Sequence, residues 1–373
     1  MCLAKSVREG ELIDRIDRAL GRRLHASREV TLGIGDDAAL FRPRAGYELI
    51  LTCDWFLEGT HFLRDRHPPD SVGWKCLARA LSDVAAMGGV PSCFLLSLAI
   101  PAFHTRRWLD EFLGGLRRAS RRFGCVLAGG DTTHRKEILI NIAVVGEVRT
   151  GRAVPRSGAR PGDLLYVSGN LGEAELGLRA VKRSHRPVNA KNPLTKKHLY
   201  PEPRLALGQW LTDKRLASAM MDLSDGLSSD LPRLCAASGV GARLEGERIP
   251  QTRNSNVARK FGLNPLELAW HGGDDYELLF TVPPQKAKSL PQSFQGLKLT
   301  PIGRITRKAE LVVCSGHGRE RPLPAGGWDP FRKARELPGS KILFAQELTH
   351  NAAPLADRHA MRGARGASMP LSQ

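Results

Sequence analysis

The chain has 373 residues, 42% hydrophobic and 25% charged, with 56 Lys and Arg against 38 Asp and Glu, a formal net charge of +18. That composition is ordinary for a soluble globular protein, it excludes disordered and fibrous classes, and the length favours two domains over one core. No apolar run approaches the roughly 20 residues that span a bilayer, no secretory signal follows Met1, and the cysteines (Cys2, Cys53, Cys76, Cys93, Cys125, Cys235, Cys314) are odd in number and never spaced as CxxC, which fits reduced thiols in a cytoplasm.

In chain order, Glu11 to Leu20 places Leu12, Ile13, Ile16 and Leu20 at helical spacing. Val30 to Ile34 and Tyr47 to Cys53 read as strands that lead into acidic turns. Asp70 to Met87 reads as a helix with Val72, Leu77, Leu81 and Val84 on one face, stopped by Gly88-Gly89. Cys93 to Ile100 is a strand ended by Pro101, and Arg106 to Phe123 a helix with Trp108, Phe112 and Leu116 inward. Cys125 to Ala128 and Ile138 to Val148 are strands around Gly129-Gly130-Asp131.

A stretch rich in glycine, proline and arginine, Arg152 to Gly162, sets a domain boundary near Thr150. Beyond it come a strand (Leu164 to Ser168), a helix (Gly172 to Val181), a polar loop (Ser184 to Lys197) and a short helix (Leu205 to Thr212). Ala219 to Leu223 leads into a Ser-Asp-Gly turn, Ser228 to Ser238 is helical, and Leu278 to Val282 and Leu311 to Cys314 are strands. The domains expected are 1–150, 151–331 and a basic tail, 332–373, whose last twenty or so residues are expected to be disordered. Interleaved helices and strands give an α/β or α+β fold.

Six acidic motifs lie beside glycine, serine or threonine: Gly35-Asp36-Asp37, Thr52-Cys53-Asp54, Ser82-Asp83, Gly129-Gly130-Asp131, Asp222-Leu223-Ser224-Asp225-Gly226 and Gly272-Gly273-Asp274-Asp275. Any one is ordinary turn chemistry. Six in a basic chain suggest Mg²⁺ held by hard oxygen ligands against phosphates, with glycines letting the backbone approach. Gly33-Ile34-Gly35-Asp36-Asp37-Ala38 matches a dinucleotide turn, but two carboxylates would repel a pyrophosphate unless a cation lay between them. There is no GxxxxGK[ST], HExxH or GxSxG. His61, Arg156 and Trp328 each have a structural reading beside a functional one: a packed imidazole or a ligand contact, a solvated arginine or a phosphate partner, a stray aromatic or a stacking platform. Basic residues are scattered without aromatic interleaving, so no specific nucleic-acid partner is expected, although the positive field favours phosphorylated ligands.

Taken together, GIGDDAAL (Gly33 to Leu40), TCDWFLEGTHF (Thr52 to Phe62), KCLARALSDVAAMGGVP (Lys75 to Pro91), LAGGDTT (Leu127 to Thr133), RSGARPGD (Arg156 to Asp163), MDLSDGLSSDL (Met221 to Leu231) and GGDDYELLF (Gly272 to Phe280) resemble the thiamine-monophosphate kinase family. That family belongs to the PurM-like superfamily typified by aminoimidazole ribonucleotide synthetase. The resemblance runs from about residue 33 to 331, in family order. It implies a two-domain PurM-like fold whose N-terminal sheet pairs across a homodimer, with ATP and several Mg²⁺ in a cleft. By motif match, Asp36, Asp37, Thr52, Cys53, Asp54, Asp83, Asp131, Asp222 and Asp225 would bind metal. Gly130, Asp131, Arg156 and Ser224 would bind ATP, and His61, Asp274 and Trp328 would meet thiamine monophosphate. Cys53 stands where the family has threonine or serine, so its contact is expected through the backbone carbonyl. Asp274 replaces a glutamate and has a shorter reach.

The reaction implied is in-line, Mg-assisted phosphoryl transfer from ATP to a phosphate oxygen. A phosphomonoester with a second pKa near about 6 is already a nucleophile at neutral pH, so no dedicated catalytic base is expected. Two alternatives stand beside it: another ATP-dependent PurM-like enzyme, such as a selenophosphate synthetase or a purine-pathway synthetase, and a basic nucleic-acid-binding protein.

Overall fold

The structure is a computed structural model that describes residues 8–20, 29–189, 191–317 and 319–331. Cys2 and the expected disordered tail lie outside those residues. Of the chain, Met1–Trp328 clusters as one unit, and of a second unit only residues 329–331 are described.

The first half begins with α1 (Glu9–Leu20), which buries Leu12, Ile16 and Leu20, and a hairpin of β1 (Val30–Leu32) and β2 (Leu40–Phe41). β3 (Tyr47–Leu57), α2 (Pro69–Ala86), β4 (Val90–Ile100), α3 (Arg107–Phe123), β5 (Val126–His134) and β6 (Leu139–Arg149) follow. The sheet order is β3-β6-β4-β5, with only β4 and β5 parallel. One face packs Phe56, Phe94, Leu98, Ile140 and Ile142 under α2 and α3, which contribute Leu77, Leu81 and Phe112. Those two helices touch backbone to backbone. A Cβ on Gly73 would lie 2.0 Å from the Phe112 carbonyl oxygen, and one on Gly115 would lie 1.8 Å from that of Asp70. The opposite face leaves Leu49, Leu51, Trp55 and Leu95 exposed.

The second half supplies β7 (Leu164–Ser168), α4 (Glu173–Arg183), α5 (Pro193–Leu199), α6 (Leu205–Asp213), β8 (Ala219–Leu223), α7 (Leu227–Ser238), β9 (Gly241–Glu245), α8 (Ser255–Lys260) and α9 (Pro265–His271). It continues with β10 (Glu277–Val282), α10 (Pro284–Ala287), β11 (Ser293–Phe294), β12 (Leu297–Thr306), β13 (Leu311–Cys314) and β14 (Glu320–Pro322). Its eight-stranded sheet runs β14-β13-β9-β12-β7-β10-β8, with β11 paired to β12. The central strands are covered on both faces, which explains their nearly unbroken apolar sequences. Leu165, Val167, Met221 and Leu279 face one core with Leu231 and Trp270; Tyr166, Met220, Leu278 and Phe280 face another with Leu207, Leu211 and, from α2, Ala85 and Ala86. Helix α2 therefore belongs to the cores of both halves.

Several expectations change. Two acids expected in turns lie in strands, Asp54 inside β3 and Asp131 inside β5, while Asp83 and Asp222 fall within the helix and the segment expected for them, α2 and β8. The polar loop expected over Ser184 to Lys197 ends in α5, and β9, α8, α9 and β12 had no counterpart in the pattern. Both α5 and α9 start with Asn-Pro, and the Asn192 and Asn264 side chains accept from the amides of Leu194 and Leu266. That is N-cap chemistry with proline in the first turn.

One buried ion group ties this half together. Glu277, 1% exposed, receives Lys197 Nζ at 2.8 Å and Arg204 Nε and Nη2 at 2.7 and 2.6 Å. Burial raises its carboxyl, but Lys197 and Arg204 outweigh burial and bring it to about 2. Glu277→Gln would leave Arg204 without its anion and Lys197 with only the more distant Asp275 at 3.6 Å, and should cost about 3–5 kcal/mol of stability in urea denaturation. Because the folded carboxyl titrates below its ordinary value, this contribution is present at neutral pH and is lost as pH falls toward about 2. The variant's stability should therefore lack that acid-dependent component.

Candidate active site

The cleft is built along α2. Side chains alternate across β3, so Thr52 and Asp54 face the helix while Cys53 points to the exposed face, where its sulfur lies 3.1 Å from Asn141 Nδ2. The Cys53 thiol is thus on the wrong side of the strand to replace a ligating hydroxyl, and what the cleft keeps of residue 53 is its main chain. The Thr52 hydroxyl donates to the Asp83 carboxylate. Burial, then the nearby Asp54, raise the Asp83 carboxyl. Asp222, 3% exposed on β8, is pushed up to about 8 by burial and by Asp83. Asp54, Asp83 and Asp222 are thus close enough to repel one another, and the Thr52 hydroxyl partly offsets that repulsion at Asp83. Among the described residues, however, no three His, Cys, Asp or Glu side chains converge tightly enough to form a complete metal shell.

Toward the other end of α2, Lys75 is 1% exposed and its Nζ lies 2.7 Å from Asp274 Oδ2 and 3.2 Å from His198 Nδ1. Burial raises the Asp274 carboxyl, but Lys75, His198 and Arg79 outweigh it and hold it below the usual carboxylate range. Tyr276 donates to Asp274 Oδ1 at 2.7 Å. Asp274 itself has φ +64, a backbone rarely taken by a residue with a side chain, fixed by its amide donating to the Ser224 carbonyl at 2.8 Å. Its neighbour Asp275 is buried and caps α4 by accepting from the amides of Gly172 and Ala174. The two acids of that motif therefore divide into one facing the cleft and one structural.

His61 accepts from the Leu57 amide through Nδ1 at 3.0 Å, which leaves the proton of the neutral ring on Nε2. Burial, then Arg79, lower it to about 4. It feels Asp274 and Lys75 as well, so it belongs to the same end of the cleft. The Trp328 amide donates to the Asp225 carbonyl at 2.9 Å and its ring is half exposed beside that turn. Asp230 accepts from the amides of Ser224 and Asp225 at 3.1 and 3.0 Å and holds the turn, while the Asp225 carboxylate is paired with Arg233. Arg156 is exposed but close enough to Asp83 to favour its ionised form.

Not every predicted residue joins this cluster. Asp36 and Asp37 are exposed between β1 and β2, with the Asp37 amide donating to Asp36 Oδ1 at 2.9 Å. Gly130 and Asp131 lie on β5, at the sheet edge opposite β3. In the register, Asp131 stands beside Ser97 and Ser97 beside Asn141, the row that contains Trp55, so Asp131 occupies the exposed face. Lys75, Arg79, His198, Tyr276, Asp230 and Arg233 were missed. Their one visible signal is Lys75, Arg79 and Asp83 repeating every four residues on a helix whose other positions are mostly apolar.

Residues 35–148 match the N-terminal domain, and residues 160–314 the C-terminal domain, of the family described as AIR synthase related protein. The chain is 38% identical over 330 residues to the thiamine-monophosphate kinase of Escherichia coli strain K12, covering 87% of this chain and 98% of that one. The thiamine-monophosphate kinase structure from Stenotrophomonas maltophilia K279a superimposes with a TM-score of 0.71 at 34% identity, over 81% of this chain and 95% of the other. A structure described as AaThiL complexed with AMPPCP and TMP gives 0.69 at 33% identity, over 89% and 99%.

The crowding of carboxylates can be measured directly. In metal-free protein, burial and Asp83 make the folded chain hold a proton on Asp222 that the unfolded chain would release at neutral pH; Asp222→Asn removes that cost and should raise stability to urea by about 1–3 kcal/mol. A loss of stability there would mean that the Asp222 carboxylate is held by favourable partners.

Proposed function

This chain belongs to the thiamine-monophosphate kinases of the AIR synthase related family, and from that premise we propose how its residues perform the reaction. The chain transfers the γ-phosphoryl group of ATP to thiamine monophosphate, giving ADP and thiamine diphosphate. The observation that carries the residue assignment is the polarity of the cleft. Carboxylates gather at the Asp83 end of α2, and Lys75, Arg79, Asp274 and His61 gather toward its start.

The nucleotide phosphates are assigned to the acidic end, with Arg156 and Ser224 as contacts, and thiamine monophosphate to the end with His61, Asp274 and Trp328. Thr52, Asp54, Asp83, Asp222 and Asp225 and the main chain at Cys53 would hold Mg²⁺. Hard oxygen donors, mutually repelling carboxylates and too few of them for a closed shell suit an ion that shares its coordination with phosphates and water. Bound there, Mg²⁺ would neutralise phosphate charge. The acceptor oxygen needs no base. The difficulty is bringing two anions together, since unit charges about 4 Å apart repel by on the order of 4 kcal/mol at an effective dielectric of 20. The protein's own part is to fix both phosphates in a dry cleft. Neutral His61 offers Nε2–H as a donor, Asp274 complements the cationic thiazolium ring, and Trp328 stacks on it.

Asp36, Asp37, Gly130 and Asp131 are assigned to the site of a neighbouring protomer. The exposed face bearing Asp131 also carries Leu49, Leu51, Trp55 and Leu95, at 43%, 72%, 56% and 42% exposure, a contiguous apolar surface suited to a second copy. A homodimer formed there would give each cleft its remaining acids. Residues 1–150 would then be the first domain, supplying Thr52, Asp54 and Asp83, and 151–331 the second, supplying Arg156, Asp222, Ser224 and Asp225 to the same site, in a cytoplasmic setting that agrees with the free cysteines of the described residues.

Purified protein with Mg·ATP and thiamine monophosphate should form thiamine diphosphate, and unphosphorylated thiamine should not be turned over. Asp83→Asn should cut kcat by at least about 100-fold with the fold intact by circular dichroism; near-normal turnover would remove Asp83 from the site. Leu51→Arg should give a monomer by analytical ultracentrifugation with little activity. A fully active monomer would contradict the shared site.

A further inference from the structure

His198 has no part in the reaction as assigned above, yet it stands between both walls of the acceptor end. It lies on α5, 1% exposed, too enclosed to meet a substrate. Gly177 on α4 backs it, where a Cβ would come within 2.9 Å of the His198 Cβ. Its two ring nitrogens serve different segments. Nδ1 lies 3.2 Å from Lys75 Nζ, which lies 2.7 Å from Asp274 Oδ2. Nε2 lies 3.0 Å from Nε2 of His67, itself 2% exposed. His67 in turn folds back on the backbone of Leu63, two residues after His61, with Nδ1 3.1 Å from the carbonyl oxygen and 3.0 Å from the amide nitrogen.

Four segments remote in sequence therefore meet in one buried polar row: the connection from β3 to α2, α2 itself, α5, and the Gly272 to Tyr276 segment. Burial, then Lys75, push His198 well below the usual imidazole range and His67 to about 4. A neutral imidazole has one acceptor and one donor. His198 can accept from the Lys75 ammonium through Nδ1 and donate to His67 through Nε2. Water does not reach the row, so deleting its middle member leaves Lys75 and His67 each short of a partner.

We propose that His198 is a positioning residue for the acceptor end, fixing Asp274 through Lys75 and the segment that carries His61 through His67. The inference rests on the assignment of His61 and Asp274 to thiamine monophosphate and adds the buried group that keeps those two walls in register.

The test compares wild type with His198→Leu, His198→Asn and His198→Gln. Leucine keeps the bulk and removes both contacts. The KM for thiamine monophosphate should then rise by about 10-fold, with the KM for ATP within about twofold. The amide of Asn stands near the place of Nδ1 and that of Gln near the place of Nε2, so each keeps one arm and should fall between wild type and His198→Leu. A merely structural histidine would lower stability with both KM values unchanged or raised together; either result overturns the proposal. If His198→Leu fails to fold, the two amide variants decide, and an acceptor KM within about twofold of wild type in both is equally fatal.

Hydrogen exchange reads the same role without turnover. Amides of residues 57–67 and 272–276 should exchange at least about threefold faster in His198→Leu, while those of β9 and β13, toward the far edge of the second sheet, stay unchanged. Faster exchange confined to α5, or spread evenly over the chain, removes the positioning role. If the wild type forms no thiamine diphosphate, the functional reading fails separately, and hydrogen exchange alone then judges His198.

Discussion

Charge buried on one helix between two sheets is the constraint on which the rest of this structure depends. Helix α2 packs against α3 and the first sheet on one side and meets α6 and β8 on the other, and its apolar residues enter the cores of both halves. A helix in that position would ordinarily be apolar all round. This one carries Lys75, Arg79 and Asp83 into the interior, and each is tolerated for a different reason. Lys75 has a carboxylate of its own, Asp83 has a hydroxyl donor and neighbouring arginines, and Arg79 has surrounding anions without a full set of acceptors. The order of those three residues gives the cleft a direction, because a rigid helix fixes their spacing more firmly than loops would.

The loops are then held to the helix by contacts remote in sequence. The Gly272 to Tyr276 segment is threaded against the Leu223 to Asp225 turn, with the Asp274 and Tyr276 amides on the carbonyls of Ser224 and Leu223. A Cβ on Gly273 would come within 2.7 Å of the Ser224 carbonyl, so glycine is needed for that approach. Gly327 meets the Asp225 carbonyl at 2.6 Å in the same sense, which brings Trp328 to the turn. The glycines beside the acids thus act mainly in packing one segment of the cleft on another, and the acids they flank take on unlike tasks: Asp274 faces the cleft, Asp275 caps a helix, and Asp230 ties the Ser224–Asp225 turn.

What could be read in advance follows from how local each signal is. Strands β7, β8 and β13 are continuous apolar runs with clear ends, and α2 and α3 have helical periodicity followed by glycine, so the fold class and most of its elements were legible. β12 was not, because Lys298, Pro301 and Gly303 break its apolar pattern and Pro301/Gly303 mark an irregular pairing with β7. α5 and α9 were short, yet their Asn-Pro starts carried a usable signal. In the site, acidic residues stood out by their glycine and serine neighbours, while Lys75, His198 and Tyr276 did not. Their roles come from partners such as Asp274, 199 positions from Lys75, and no window of sequence contains both. Asp54 and Asp131 were expected in turns and lie inside β3 and β5 for the same reason: how far a strand runs depends on its partners, which are remote in sequence.

The two departures from the family pattern now have separate physical accounts. Strand alternation turns the Cys53 side chain to the outer face, where its thiol lies beside Asn141 and away from the acid cluster. Asp274 is different, since its side chain is one methylene shorter than that of glutamate and its carboxylate pairs with Lys75 on the helix. In this chain both of its oxygens are engaged, Oδ2 by Lys75 and Oδ1 by Tyr276, and its backbone is held at φ +64. A carboxylate so anchored has little freedom to move.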